Sequence, residues 1–107
     1  MIKLPWPPRF QWDDGNRDKN RREHGISCEE CEKVFWDPDL RIYPDDMHSE
    51  VEERYYAYGK NNFGKYLLVS FTMRYDEIRP ISARRANERE QKKYGKPINE
   101  ENAARAE

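Results

Sequence analysis

The chain has 107 residues, 36% apolar and 38% charged, which suits a single domain with a modest core built largely from its three Trp, four Phe and seven Tyr. No apolar run approaches the ~20 residues that cross a bilayer. The start, MIKLPWPPRF, lacks the apolar segment of a signal peptide, and two cysteines make no disulfide framework, so a cytoplasmic protein with no membrane association is expected. A formal net charge of −1 argues against a general polyanion binder, but residues 27–53 hold ten acids and two bases while residues 54–96 hold eleven bases and four acids. This asymmetry suggests two surfaces with different partners; a solvated, charge-mixed surface is the alternative.

The first element is RFQWD (9–13), where Phe10 and Trp12 alternate with polar neighbours as in a short strand. DGNRDKNRREHG follows. Asp13 or Asp14 can cap a largely solvated polar helix, and Gly25 can end it in the left-handed conformation. Ser27 and Glu30 have capping-box spacing for a second helix, which Pro38 stops. In that helix Cys28, Cys31, Val34 and Phe35 share one side, so the cysteines are read as packing residues. No second Cys pair or suitable His pair completes a zinc site, and Glu29 and Glu30 would raise a thiol pKa.

LRIYPDD (40–46) reads as a strand running into a turn. ERYYAYGK is the next strand, with Tyr55 and Ala57 on one face and Arg54, Tyr56 and Tyr58 on the other. After the turn NNFG, KYLLVSFTM (65–73) is the most apolar segment and the expected central strand. RYDE is a hairpin turn, and IRPISARR (78–85) is a further strand in which Pro80 implies an edge or a bulge. Without a bulge, Ser82 and Arg84 share a face and Arg79 points the other way, so the two arginines serve one site only if a bulge intervenes. Asn87 and Glu90 repeat the capping-box spacing for a helix to about Tyr94, and residues 98–107 are either a frayed last helix or without fixed structure.

The expected fold class is therefore α+β: an antiparallel sheet of about four strands, two N-terminal helices packed on one face and a short C-terminal helix. One domain covers residues 1–107, with 1–8 and 96–107 as peripheral tails.

Three segments carry a family resemblance. WDDGNRDKNRREHGIS, HSEVEERYYAYG and IRPISARRANERE resemble, in order, the N-terminal signature, the His-Ser-Glu segment and the Ile-Ser-Ala-Arg segment of the BrnT toxins of bacterial type II toxin–antitoxin systems, over roughly residues 10–94. The chain departs from that pattern at Glu23, Val51 and Pro80, and Cys28 and Cys31 occupy slots that usually hold Phe and Ala. The resemblance implies a RelE-like fold and a ribonuclease toxin that stops translation. It also implies a BrnA-like ribbon-helix-helix antitoxin, which masks the toxin in a heterotetramer that binds operator DNA.

Metal-free RNA cleavage needs a base for the 2′-hydroxyl, cations for the phosphorane and an acid for the leaving oxygen. Arginine suits the phosphorane because its fork binds two oxygens and stays charged. The expected catalytic residues are His48, Glu53, Arg54, Arg79 and Arg84, with Glu50 and Glu52 as other carboxylates that could orient His48. Tyr56, Arg74, Arg85 and Arg89 are the expected RNA-binding residues, Tyr56 by stacking on bases. No metal and no cofactor are expected. His24, just before Gly25, fits a helix C-terminus better than a site. Glu52, Glu53 and Arg54 can also be read as solvated charges guarding a strand edge, and His48 as a turn residue. The competing function is a non-enzymatic module that holds RNA or an acidic protein on its basic sheet. A ribbon-helix-helix reading frame beside the gene favours the toxin, and a lone gene favours the module.

Overall fold

The computed structural model describes residues 2–95. In chain order it contains α1 (Lys19–His24), α2 (Cys28–Val34), β1 (Arg41–Pro44), a 3₁₀ turn (Asp46–His48), β2 (Arg54–Lys60), β3 (Tyr66–Arg74), β4 (Glu77–Arg85) and α3 (Glu88–Tyr94). The strands form one antiparallel sheet in the order β1-β2-β3-β4, so the α+β expectation holds. Residues 98–107, expected as a frayed helix or without fixed structure, lie outside the described residues.

Period-two alternation in the strands decides the faces. Ala57, Leu67, Val69, Phe71, Ile78 and Ala83 are buried on one face with Ile26, Cys31, Val34 and Phe35. Phe35 sits edge-on to both Phe71, at 5.2 Å between ring centroids, and Phe10, at 5.4 Å. α2 lies against β2 and β3, and α1 against β4. Gly59 allows the approach of α2, since a Cβ there would meet Val34 at 3.1 Å. Both cysteines are free: Cys31 lies in the core, where burial pushes its thiol pKa up, and partly buried Cys28 is shifted up for the same reason.

α2 starts at the Ser27–Glu30 capping box and α3 at the Asn87–Glu90 box, as the spacing predicts. α1 differs from expectation. It begins only at Lys19, because residues 13–16 form a side-chain-bonded turn. Asp13 Oδ1 accepts the Gly15 N–H at 2.8 Å, and Asn16 Oδ1 accepts the Asp13 N–H at 2.8 Å. Gly25 does end the helix with φ 68°. Residues 9–11 also differ. They make no full strand but a single parallel bridge, Phe10 to Ile78, flanking β4.

The bulge that Pro80 suggested is present. Ser70 pairs with Ser82 and Phe71 with Pro80, leaving Ile81 as the extra residue. Ile78 turns its N–H and C=O outward to Arg9 and Gln11, so two residues on the absent Pro80 N–H also points outward and the β3–β4 ladder loses nothing. The Pro80 carbonyl accepts the buried Asn16 amide at 2.8 Å.

Candidate active site

The second face of the sheet is ordered in transverse rows by the register. Arg54, Thr72 and Arg79 form one row across β2, β3 and β4. Tyr56, Ser70 and Ser82 form the next, continued by Tyr43 on β1, and Tyr58, Leu68 and Arg84 the third, continued by Arg41. The bulge brings Arg79 to this face: it shifts the pleat by one residue, so residues on either side of Ile81 swap alternation. α3 covers the third row. Tyr94 packs on Tyr43 and Tyr58, at 4.7 and 5.8 Å between centroids, and Glu90 forks onto Arg84 at 2.7 and 2.6 Å. Through Tyr43 the cover reaches the β1 end of the second row, and the first row lies beyond it.

Two arginines beside the first row are held by carboxylates. Arg79 donates to Asp13 at 2.8 and 3.2 Å and to Gln11 at 3.2 Å. Arg74 donates to Glu52 at 3.0 and 3.2 Å. The Arg79 guanidinium holds the Asp13 carboxyl below its ordinary range. Arg74 does the same for Glu52, against the opposing effect of burial and with lesser lowering from the charges of Arg54 and Arg79. Glu52 is thus a carboxylate set among three arginines. Arg54 itself has no ion-pair partner among the described residues.

The turn between β1 and β2 carries His48. Its Nδ1 lies 2.8 Å from Asp45 Oδ2, with the His side chain 57% exposed and the Asp side chain 7%. Asp45 donates its N–H to the Arg54 carbonyl, so it stands beside Arg54 at the β1 end of the first row. Ser49 Oγ donates to the Asp45 carbonyl at 2.7 Å and accepts the Arg54 N–H at 3.0 Å, tying the turn to the head of β2. Burial first, and then the Asp45 carboxylate, raise the pKa of the Tyr56 phenol.

The structure therefore gathers His48, Arg54, Tyr56, Arg74 and Arg79 around one part of the sheet. It does not bring the other expected site residues there. Glu53 turns to the opposite face, where its carboxylate accepts the Tyr55 hydroxyl at 2.7 Å, and Glu52 takes the position among the arginines. Arg84 lies two rows along the same face, about 13 Å away at ~3.3 Å per residue, and is paired with Glu90 under α3. Arg85 pairs in register with the core residue Leu67, facing the helix side, and Arg89 is exposed on α3. His24 sits at the end of α1 beside Glu23 and apart from the first row. Sequence reasoning missed Asp45, Asp13 and Thr72, whose roles depend on pairing across strands. The one available signal for Asp45 was its spacing of three from His48.

Fold and face together define a small α+β domain, with α2 packed on one face of a four-stranded antiparallel sheet, α1 beside β4, and an arginine-lined, half-covered face on the other side. The family model described as the ribonuclease toxin, BrnT, of type II toxin–antitoxin systems matches residues 12–90, and the chain belongs to this family. The match spans all three motif segments, from Trp12 to Glu90. Membership places the chain among type II ribonuclease toxins and implies an antitoxin partner. A comparison with curated proteins gave no match. Among the described residues no helix is long and apolar enough to cross a membrane.

Proposed function

We propose that this chain is an endoribonuclease that cleaves RNA without a metal ion, with the Arg54–Thr72–Arg79 row and the His48 turn as its active site. The observation that supports this most is the convergence of Arg54, without an ion-pair partner among the described residues, the bulge-delivered Arg79 and an imidazole whose Nδ1 is taken by a carboxylate. In this reading His48 Nε2 takes the proton of a 2′-hydroxyl. The 2′-oxygen then closes on the adjacent phosphorus, the bond to the 5′-oxygen breaks, and that oxygen leaves with a proton from water. The products are a 2′,3′-cyclic phosphate and a free 5′-hydroxyl. Arg54 binds the phosphorane's equatorial oxygens, and Arg79 joins it when the phosphate displaces Asp13. Glu52, rather than Glu53, tunes the arginine cluster. Tyr56 offers a ring for a base in the second row, with Arg74 as a phosphate contact beside the first; Arg85, on the helix side, and Arg89, on α3, lie outside this track.

The wider reading follows family membership: a RelE-like toxin that inhibits translation in the cytoplasm and is masked by a BrnA-like ribbon-helix-helix antitoxin in an operator-binding heterotetramer. The test is induced expression with and without the neighbouring gene, followed by incubation of purified protein with RNA and a chelator. Growth arrest relieved by the neighbour, and cleavage that persists in chelator and leaves cyclic phosphate ends, is the expected result. Retention of intact RNA without cleavage would make the chain a binding module instead.

A further inference from the structure

We infer that Asp45 is a positioning residue of this site: a single buried carboxylate that fixes His48 through Nδ1, on a turn that hydrogen bonds tie to Arg54 at the head of β2. The inference rests on the ribonuclease reading above.

The geometry is specific. Asp45 is 6% exposed and is the one charged residue buried among the described residues of this highly charged chain. A buried carboxylate needs partners, and an ionised one can only accept hydrogen bonds. His48 Nδ1 lies 2.8 Å from its Oδ2, an arrangement that in the neutral ring puts the proton on Nδ1 and leaves Nε2 as the free nitrogen. Most free imidazole prefers the other arrangement, which leaves no lone pair on the outward nitrogen. Backbone bonds prevent Asp45 from drifting. Its N–H is held by the Arg54 carbonyl and its C=O by the Ser49 hydroxyl, which also receives the Arg54 N–H. His48 is more than half exposed and is otherwise free to rotate, so its orientation depends on this contact. Asp45 touches no reacting atom and acts through His48.

The experiment measures RNA cleavage for the parent, Asp45→Asn, His48→Ala and the double variant, together with the His48 ring tautomer from long-range proton–nitrogen NMR correlations. The parent is expected to show His48 with its proton on Nδ1. Asp45→Asn is expected to shift the neutral ring toward the Nε2–H form and to lower kcat roughly 10–100-fold, part of the ~10²–10⁴ that proton transfer supplies, with KM changed less than about twofold. In the His48→Ala background the same change should have no further effect on kcat. Parent-like kcat in Asp45→Asn, an equal loss with and without His48, or an Nε2–H ring in the parent overturns the proposal. The last of these needs no variant to fold. If the parent cleaves no RNA, the ribonuclease reading fails, while the parent's ring tautomer still decides whether Asp45 holds His48.

Discussion

Arg54 and Arg79 lie in one transverse row of the sheet, on β2 and β4, with Thr72 of β3 between them. Two strand spacings separate their backbones, about 10 Å at ~4.8 Å per strand, a span that two extended guanidinium side chains can close around one phosphate. The row exists because Ile81 bulges out of β4; a regular ladder would turn Arg79 into the core face. The two arginines differ in their present state. Arg79 is engaged by Asp13 and Gln11, while Arg54 is free of ion pairs among the described residues. Arg54 is thus the cation available to a phosphate without exchange of partners.

Arg54→Ala is expected to reduce RNA cleavage ~10²-fold or more, as for other removed transition-state donors. The fold should survive, since Arg54 is half-buried at a strand start and its side chain holds no other residue by an ion pair; a stability loss within ~1 kcal/mol is expected. Arg54→Lys should recover only part of the activity, because the charge remains and the fork is lost. Cleavage rate and thermal unfolding for each variant decide this. Parent-rate cleavage by Arg54→Ala, or inactivity explained by unfolding, removes Arg54 from the site.

The faces of β2 and β3, both capping boxes and the Gly25 stop were legible in the sequence because each depends on neighbours within four residues. The bulge was legible only as a consequence of Pro80, since the choice of Ile81 as the extra residue depends on pairing with Ser70 and Phe71. The site was less legible for the same reason. Glu52 and Glu53 look alike in the chain, yet the pleat sends one to the arginines and the other to Tyr55. Likewise Asp13 reads as a helix cap but bonds an arginine 66 residues away. Local signals locate elements, whereas the partners of charged side chains are set by register and packing.

Asn16→Ala is expected to destabilise the protein by about 2–3 kcal/mol. Asn16 is 3% exposed and its amide ties the N-terminal segment to β4: it donates to the Gln11 and Pro80 carbonyls, at 3.1 and 2.8 Å, and accepts the Asp13 N–H. Alanine leaves the Pro80 carbonyl without this partner and frees the turn that presents Asp13 to Arg79. Urea unfolding measures the loss; a change under about 0.5 kcal/mol, typical of indifferent surface positions, would show that the turn holds without its amide.

Asp76→Gly is expected to raise stability by about 0.5–1 kcal/mol. Tyr75 and Asp76 connect β3 to β4 with φ of 53° and 62°, the left-handed region that a two-residue hairpin of this hand demands and that side chains disfavour. Glycine meets no penalty there, and the one long-range bond at this residue, from Arg9, goes to the backbone carbonyl, which the substitution keeps. Thermal unfolding is the measurement, and a lower Tm than the parent would contradict the assignment of strain to this turn.

Glu90→Gln is expected to lower stability by about 1 kcal/mol or less near neutral pH, roughly 4–8 °C in Tm per kcal/mol for a domain of this size, and to have no effect in strong acid. Glu90 pairs with Arg84 through two short bonds and closes the capping box of α3. The Arg84 guanidinium holds the Glu90 carboxyl below its ordinary value of 4.5, against an opposing effect of burial and with further help from the Asn87 N–H. Because the folded pKa is lowered, the unfolded chain takes up this proton first as pH falls. The stabilisation is therefore fully present above 4.5 and is lost as pH drops through the lower folded value. Glutamine carries no charge at any pH, so the two unfolding curves should differ at pH 7 and converge in acid. The same pair keeps α3 over the Tyr58–Leu68–Arg84 row and away from Arg54, so cleavage by Glu90→Gln should stay near the parent rate. Tm measured across pH 3–7 decides the matter: a parent–variant gap that stays constant over this range would mean that Glu90 acts through packing and not through its charge.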